Sequence, residues 1–258
     1  MADVHVSTFA DLLTAIAVAG DNVYIDADLD AQSEGIDSMT SFQIKCNLYG
    51  QGHTISNLLV LGNTAINMYG SSSLTVEDVY FKNFGAKNAG NTIGISSSGY
   101  YYYYFNRCKF SQFLSCGNNN GFLSSQGSSS RLYFNSCAFD TTFTRVTTFS
   151  ATGFFDKCNI VVREGQFTSG VISLGNSTYT DWVFYQCNIA GNISIGGAYS
   201  YIALKDCTTT ASNIAVSGSA NCLFCDASGV THTVTTIQEV TEAQLQSESY
   251  LQSIGFLP

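Results

Sequence analysis

The feature that most constrains this chain is a short box that returns along it: an apolar residue, two polar residues, a cysteine, one further residue, then another apolar position. It reads FNRCKF at 105–110, FNSCAF at 134–139, FDKCNI at 155–160, FYQCNI at 184–189 and LKDCTT at 204–209. A valine form, VEDVYF at 76–81, comes first and a worn form, CLFCDA at 222–227, comes last. The anchors Val79, Cys108, Cys137, Cys158, Cys187, Cys207 and Cys225 are separated by 29, 29, 21, 29, 20 and 18 residues. Repeats of this length belong to stacked arrays in which each unit buries its face only on its neighbours. Helical repeats need about 33 residues or more, and propeller blades about 40 to 50, so neither fits. Apolar pairs upstream of the boxes, Ile93/Ile95, Val171/Leu174, Ile193/Ile195 and Ile214/Val216, read as strands rather than helices.

Within the box, the anchor and the apolar residue three before it are both expected to point inward. Two residues between inward positions break the alternation of a strand, so a tight corner is expected there. Asn106, Asn135 and Asp156 occupy its first position, and Asn and Asp tolerate left-handed backbone better than other non-glycine residues. In coil length and corner chemistry, residues 40–230 resemble the pectate-lyase-like right-handed parallel β-helices, in which asparagines stack as a ladder at such a corner. Asn106, Asn135 and Asp156 are the expected ladder here, interrupted where the corner carries Glu77, Tyr185 and Lys205. The resemblance implies an all-β chain: a right-handed parallel β-helix of about eight coils. Three regions are expected: 1–40 with a capping helix and first strand, 41–230 as the helix proper, and 231–258 with a last strand and a second capping helix.

The helix at the start is read over residues 7–18, capped by Ser7 or Thr8 and apolar along Phe9, Leu12, Leu13 and Ile16. At the other end, Thr241 and Gln244 form a capping box ahead of Leu245, Tyr250, Leu251 and Ile254. Both would cover open ends of the coil stack, which would otherwise meet water or another sheet.

Counting from the inward positions gives an outward column of Thr75, Tyr104, Tyr133, Phe154, Val183 and Ala203, with Tyr102 also outward. A mostly apolar stripe of this length on an outer face marks a contact surface, either between subunits or with sugar rings. The cysteines Cys108, Cys137, Cys158, Cys187, Cys207 and Cys225 form an inward column. Stacked coils aim parallel side chains poorly for a disulfide, so these are expected to be reduced thiols packed as small hydrophobes.

Only 11% of residues are charged, against about 25% in ordinary domains. The net charge of −9 with ten scattered Lys and Arg leaves no basic cluster for phosphate contacts, so nucleic acid is not an expected partner. No apolar run reaches membrane-spanning length, and the start lacks the charged and apolar regions of a signal peptide. Asp26, Asp28 and Asp30 alternate on one strand, but no partner set for calcium is visible around them. No two acidic residues share neighbouring coils in a column, as a glycosidase pair would need. No cofactor, metal or catalytic residue is therefore expected.

The chain as a whole resembles phage β-helix spikes, head fibres and capsid decoration proteins. That resemblance implies a structural virion protein, made in the host cytoplasm and assembled as a homotrimer on a capsid or other virion protein. The alternative is a polysaccharide-binding or depolymerising tailspike or secreted enzyme of the same fold.

Overall fold

In the computed structural model the described residues are 2–62, 64–69, 72–86, 91–96, 101–111, 114–115, 123–126, 131–139, 148–154, 159–163, 166–167, 171–174, 181–189, 192–195, 201–205, 208–209, 214–216, 221–224, 237–239, 244 and 247–253. Among them the chain winds through three parallel sheets in turn. Asn47–Tyr49, Thr54–Val60 and Thr64–Tyr69 make one circuit; Leu74–Glu77, Tyr80–Ala86 and Asn91–Ser96 make the next, directly on top. Carried on, this gives a first sheet of eleven strands from Asp3–Val6 to Ile237–Glu239, a second of ten and a third of eight. The protein is a β-solenoid with parallel sheets.

The inward column of the first sheet holds Leu48, Val76, Phe105, Phe134 and Phe184, all buried, and its register also passes through Val162, Leu204 and Phe224. Stacked coils place like residues at van der Waals distance, so aromatics form columns. Phe105 stacks on Phe134 at 4.9 Å, and Phe81, Phe110 and Phe139 stack at 5.5 Å per step. These rings are fully buried, which is where most of the favourable free energy of folding resides. Offset or edge-on contacts between the columns, such as Phe110 to Phe134, tie the second sheet to the first.

The register corrects one repeat. The column passes from Phe134 to Val162 and then to Phe184, so its steps are not the series read from the cysteines. The first-sheet strand here is Asn159–Arg163, which starts at the last two residues of the box FDKCNI and puts Arg163 opposite Asn135. Phe154 ends a third-sheet strand, Thr148–Phe154, opposite Gln126, and so leaves the outer column. Asp156 and Cys158 lie outside the described residues. The same strand pairs its second half with Leu123–Gln126 and its first half with Val171–Ser173. This offset falls where the coils shorten. It also puts Ile172, rather than Val171, in column with Ile193 and Ile214.

At the N-terminus, α1 (Phe9–Ile16) packs on the strands Asp3–Val6 and Asn22–Ile25. Phe9, Leu12, Ala15 and Ile16 are buried, whereas Leu13 is only half-buried. Thr8 is the N-cap, accepting from the Asp11 amide at 3.1 Å. The Glu34 carboxylate accepts from the amides of Phe9 and Ala10, so a charge from a distant turn sits on the positive end of the helix. At the C-terminus, α2 spans Glu248–Ser253; Leu245 and Ile254 lie outside the described residues.

Candidate functional site: the outer face of the first sheet

The corner that links the first and second sheets sets what the outer face displays. The left-handed residue there is the second of the two, not the first: Asp78, Arg107, Ser136 and Gln186 have φ between 51° and 53°. Two of these backbones are held by bonds along the stack, Asp78 N–H to Asn106 C=O at 2.9 Å and Arg107 N–H to Asn135 C=O at 2.8 Å. The left-handed turn is therefore imposed by stacking and accepts four different side chains. The asparagines serve another purpose. Asn135 Nδ2 donates to Asn106 Oδ1 at 2.8 Å, and Asn106 Nδ2 to Glu77 Oε2 at 3.3 Å.

Two further ladders go beyond the one expected from the sequence. Asn83 Nδ2 donates to Asn57 Oδ1 at 2.7 Å, and Asn57 Nδ2 to Asp30 Oδ2 at 2.8 Å. Asn47 donates to Asn22 at 3.1 Å, Asn22 to Asp3 at 2.9 Å, and Asn47 Oδ1 accepts from the Thr75 amide at 2.9 Å. The signal for the Asn57 ladder is present in the sequence: Ile55-Ser56-Asn57-Leu58 and Phe81-Lys82-Asn83-Phe84 repeat the inward-two-inward spacing of the box without a cysteine. There Asn57 and Asn83 are themselves left-handed, at φ 59° and 54°. Each ladder ends in a carboxylate on its N-terminal side.

The outer face carries three columns. The middle one carries Asn47, Thr75, Tyr104 and Tyr133, and its backbone register continues at Val161, Val183, Ala203 and Leu223. Val161 thus takes the place expected for Phe154. Tyr104 and Tyr133 stack at 5.0 Å with their planes 15° apart, and both are half-buried. Tyr102 stands in the next column, opposite Arg131. Its ring lies 6.4 Å from Tyr104 and 6.3 Å from Tyr133, and it is 39% exposed. On the other side, His5, Tyr24 and Tyr49 stack at 5.0 Å per step, and the column continues to Glu77, Asn106 and Asn135. Burial, then the neighbours Tyr24, Glu77 and Asp3, raise the Tyr49 phenol above its ordinary value.

Behind this face, Cys46, Cys108, Cys137 and Cys187 are buried and in no disulfide; Cys207 and Cys225 lie outside the described residues. Cys108 Sγ donates to Val76 C=O at 3.4 Å and Cys137 Sγ to Phe105 C=O at 3.3 Å. Each thiol thus bonds the backbone of the coil before it. Burial pushes the Cys46 thiol up to about 12 and raises Cys108 as well.

The carboxylates have assigned partners. Arg107 holds Asp78 through Nε at 2.7 Å and Nη2 at 2.6 Å, and Glu77 through Nη2 at 2.8 Å. The hydrogen bonds and charge of Asp78, then the charge of Glu77, raise the guanidinium's pKa. Asp26 binds His5 Nδ1 at 3.0 Å and Gln51 Nε2 at 2.9 Å. Asp28 accepts from the Thr54 amide at 2.8 Å and faces His53 Nδ1 at 3.2 Å. Both carboxyls are held below their ordinary value, Asp26 chiefly by the His5 bond and Asp28 chiefly by the Thr54 amide. Among the described residues no group of three or more His, Cys, Asp or Glu is placed to hold a metal. Comparison with known protein families, curated proteins and solved structures returned no match.

Proposed function

We propose that this chain is a non-catalytic structural protein of a bacteriophage particle, a capsid decoration, head fibre or spike subunit, working as a homotrimer. In this reading the solenoid is right-handed, has about eight coils, and is closed at its ends by α1 and α2. The observation that carries the reading is the stack of Tyr104 on Tyr133 on the outer face, whose backbone register continues at the apolar residues Val161, Val183, Ala203 and Leu223. An apolar stripe that follows the long axis favours parallel side-by-side packing of identical rods. Reduced buried thiols suit assembly in a host cytoplasm.

Size-exclusion chromatography with light scattering tests the trimer: a mass of three times 27.8 kDa is expected. Tyr133→Lys should return it to the monomer, by placing three like charges against one another. A wild-type monomer at micromolar concentration would sink this interface. Copurification of the chain with intact particles through a density gradient supports the virion assignment, and its absence from them overturns it.

The exposed ring of Tyr102, stacked beside Tyr104 and Tyr133, favours a second reading, a polysaccharide-binding tailspike or depolymerase, because flat aromatic faces suit sugar rings. Glycan-array binding lost in Tyr102→Ala would favour it over subunit packing.

A further inference from the structure

The first sheet begins with an open edge. Asp3–Val6 pairs with Asn22–Ile25 on one side and stands last in the sheet on the other. Ala2 C=O accepts from the Asn22 amide and Val6 C=O from the Asp26 amide, each at 2.9 Å, so the even-numbered residues address the paired side. In a parallel ladder the residues between them address the opposite side. The N–H and C=O groups of Asp3 and His5 therefore line the free edge, and both residues are exposed. α1 packs on this strand and on Asn22–Ile25, and among the described residues no strand lies on the other edge. Edges of this kind are commonly blunted by lysine, proline or a bulge; the sequence here is Asp-Val-His-Val.

The charge around the edge is one-sided. Residues 1–44 hold eight of the chain's 19 acidic residues and none of its ten Lys and Arg. Asp3, Asp21 and Asp26 stand closest: Asp21 accepts from the Ala2 amide at 2.8 Å, Asp26 from His5, and Asp3 from Asn22. None of these acids has a Lys or Arg partner among the described residues, so the negative charge is left facing outward. A second copy presenting the same end would be repelled.

We propose that this edge is a docking site for an extended, Lys- or Arg-rich segment of a partner protein, which adds to the first sheet as its next strand. Main-chain bonds to Asp3 and His5 give the register, and basic side chains on the outer face meet the acidic end. The proposal does not depend on the trimer or virion readings, since it concerns the end of the rod and not its flank.

Fluorescence anisotropy of the full chain with a labelled peptide alternating Lys and Thr is the test, with a Glu/Thr peptide as the control. The Lys/Thr peptide should bind at low salt and the Glu/Thr peptide should not. Proline is tolerated where an edge N–H faces solvent, so His5→Pro should keep the circular dichroism of the native fold. It should weaken binding by about tenfold, through loss of an edge bond and obstruction of the strand. His5→Ala keeps the N–H and should bind like wild type. Asp3→Lys should abolish binding by charge, and provides the same test if His5→Pro does not fold. Binding that is indifferent to both His5→Pro and Asp3→Lys, or no binding to wild type, overturns the proposal. So does end-to-end association of the wild type, which would make a second copy the occupant.

Discussion

Single residues in this solenoid answer to the coil above them more than to their chain neighbours. Gly50 shows this most sharply. A Cβ there would run into the Asp78 C=O and lie 2.6 Å from Val79 Cγ2, because the Gly50 amide donates to Glu77 C=O at 2.7 Å in the next coil. Gly52, two residues on, has φ +87° and open space around it. Gly50→Ala should therefore cost about 1–3 kcal/mol by overpacking against backbone, read as a lower urea midpoint. Gly52→Ala should cost about 1 kcal/mol or less, from its left-handed backbone alone. Equal losses at the two sites would contradict the close approach. The buried thiols make a second prediction. Cys46 has its pKa raised from 9.0 to about 12, so the native state holds this proton more tightly than the unfolded chain does. Stability from the neutral thiol is fully present below pH 9.0 and is lost as pH rises toward about 12. The urea-midpoint advantage of wild type over Cys46→Ala should shrink across that range and stay constant on the acid side of it, down to neutral pH.

At the scale of the ladder and the coil, the asparagines test whether a stack is worth more than its separate bonds. Asn106 both donates to Glu77 and accepts from Asn135. Asn135 donates downward, but its Oδ1 is buried with no partner among the described residues. Asn106→Ala should cost about 1–3 kcal/mol, since it leaves Asn135 without its acceptor, whereas Asn135→Ala also removes an unsatisfied oxygen and should cost about 1 kcal/mol or less. Urea unfolding of the two variants decides it, and a reversed order would mean that the ladder does not run as drawn. The same ladder shows what could be read in advance. The return of the box was legible because stacking puts like residues on top of one another, and Phe105, Asn106 and Phe110 do lie in register with Phe134, Asn135 and Phe139. FDKCNI breaks the pattern because the strand starts at its last two residues, Asn159 and Ile160, and runs on through Val161, Val162 and Arg163, which carry no cysteine to announce them. Intrinsic preference puts the left-handed corner on asparagine, yet it falls on Asp78, Arg107, Ser136 and Gln186, with bonds along the stack holding Asp78 and Arg107 there. The Glu34 carboxylate on α1 was hidden for another reason: nothing local to Phe9 encodes a partner that lies 25 residues away.

For the whole molecule, the change of coil length matters more than the number of coils. The long first-sheet steps, from Val76 to Phe105, Phe134 and Val162, give way to shorter ones, from Val162 to Phe184 and on to Leu204. The strand Thr148–Phe154, split between two registers, sits close to that change. The longer coils before the change (the wide part) carry the long phenylalanine stacks and the three described asparagine ladders; the shorter coils after it (the narrow part) have fewer residues with which to bury apolar area. Because each coil touches only its neighbours, stability is a sum of unit and interface contributions and need not be lost all at once. Trp182, the single tryptophan, reports on the narrow part, since its strand, Asp181–Tyr185, lies beyond the change and places it in column with Ile160 and Ile202. The stacked tyrosines Tyr24, Tyr49, Tyr104 and Tyr133 belong to the wide part, and their near-ultraviolet circular dichroism reports on it. In a urea titration the Trp182 fluorescence midpoint should fall below the tyrosine midpoint. Tyr103→Ala, which empties a fully buried site in the wide part, should lower the tyrosine midpoint more than the tryptophan one. Coincident transitions in wild type and variant alike would show that the two parts unfold as one cooperative unit despite the offset between them.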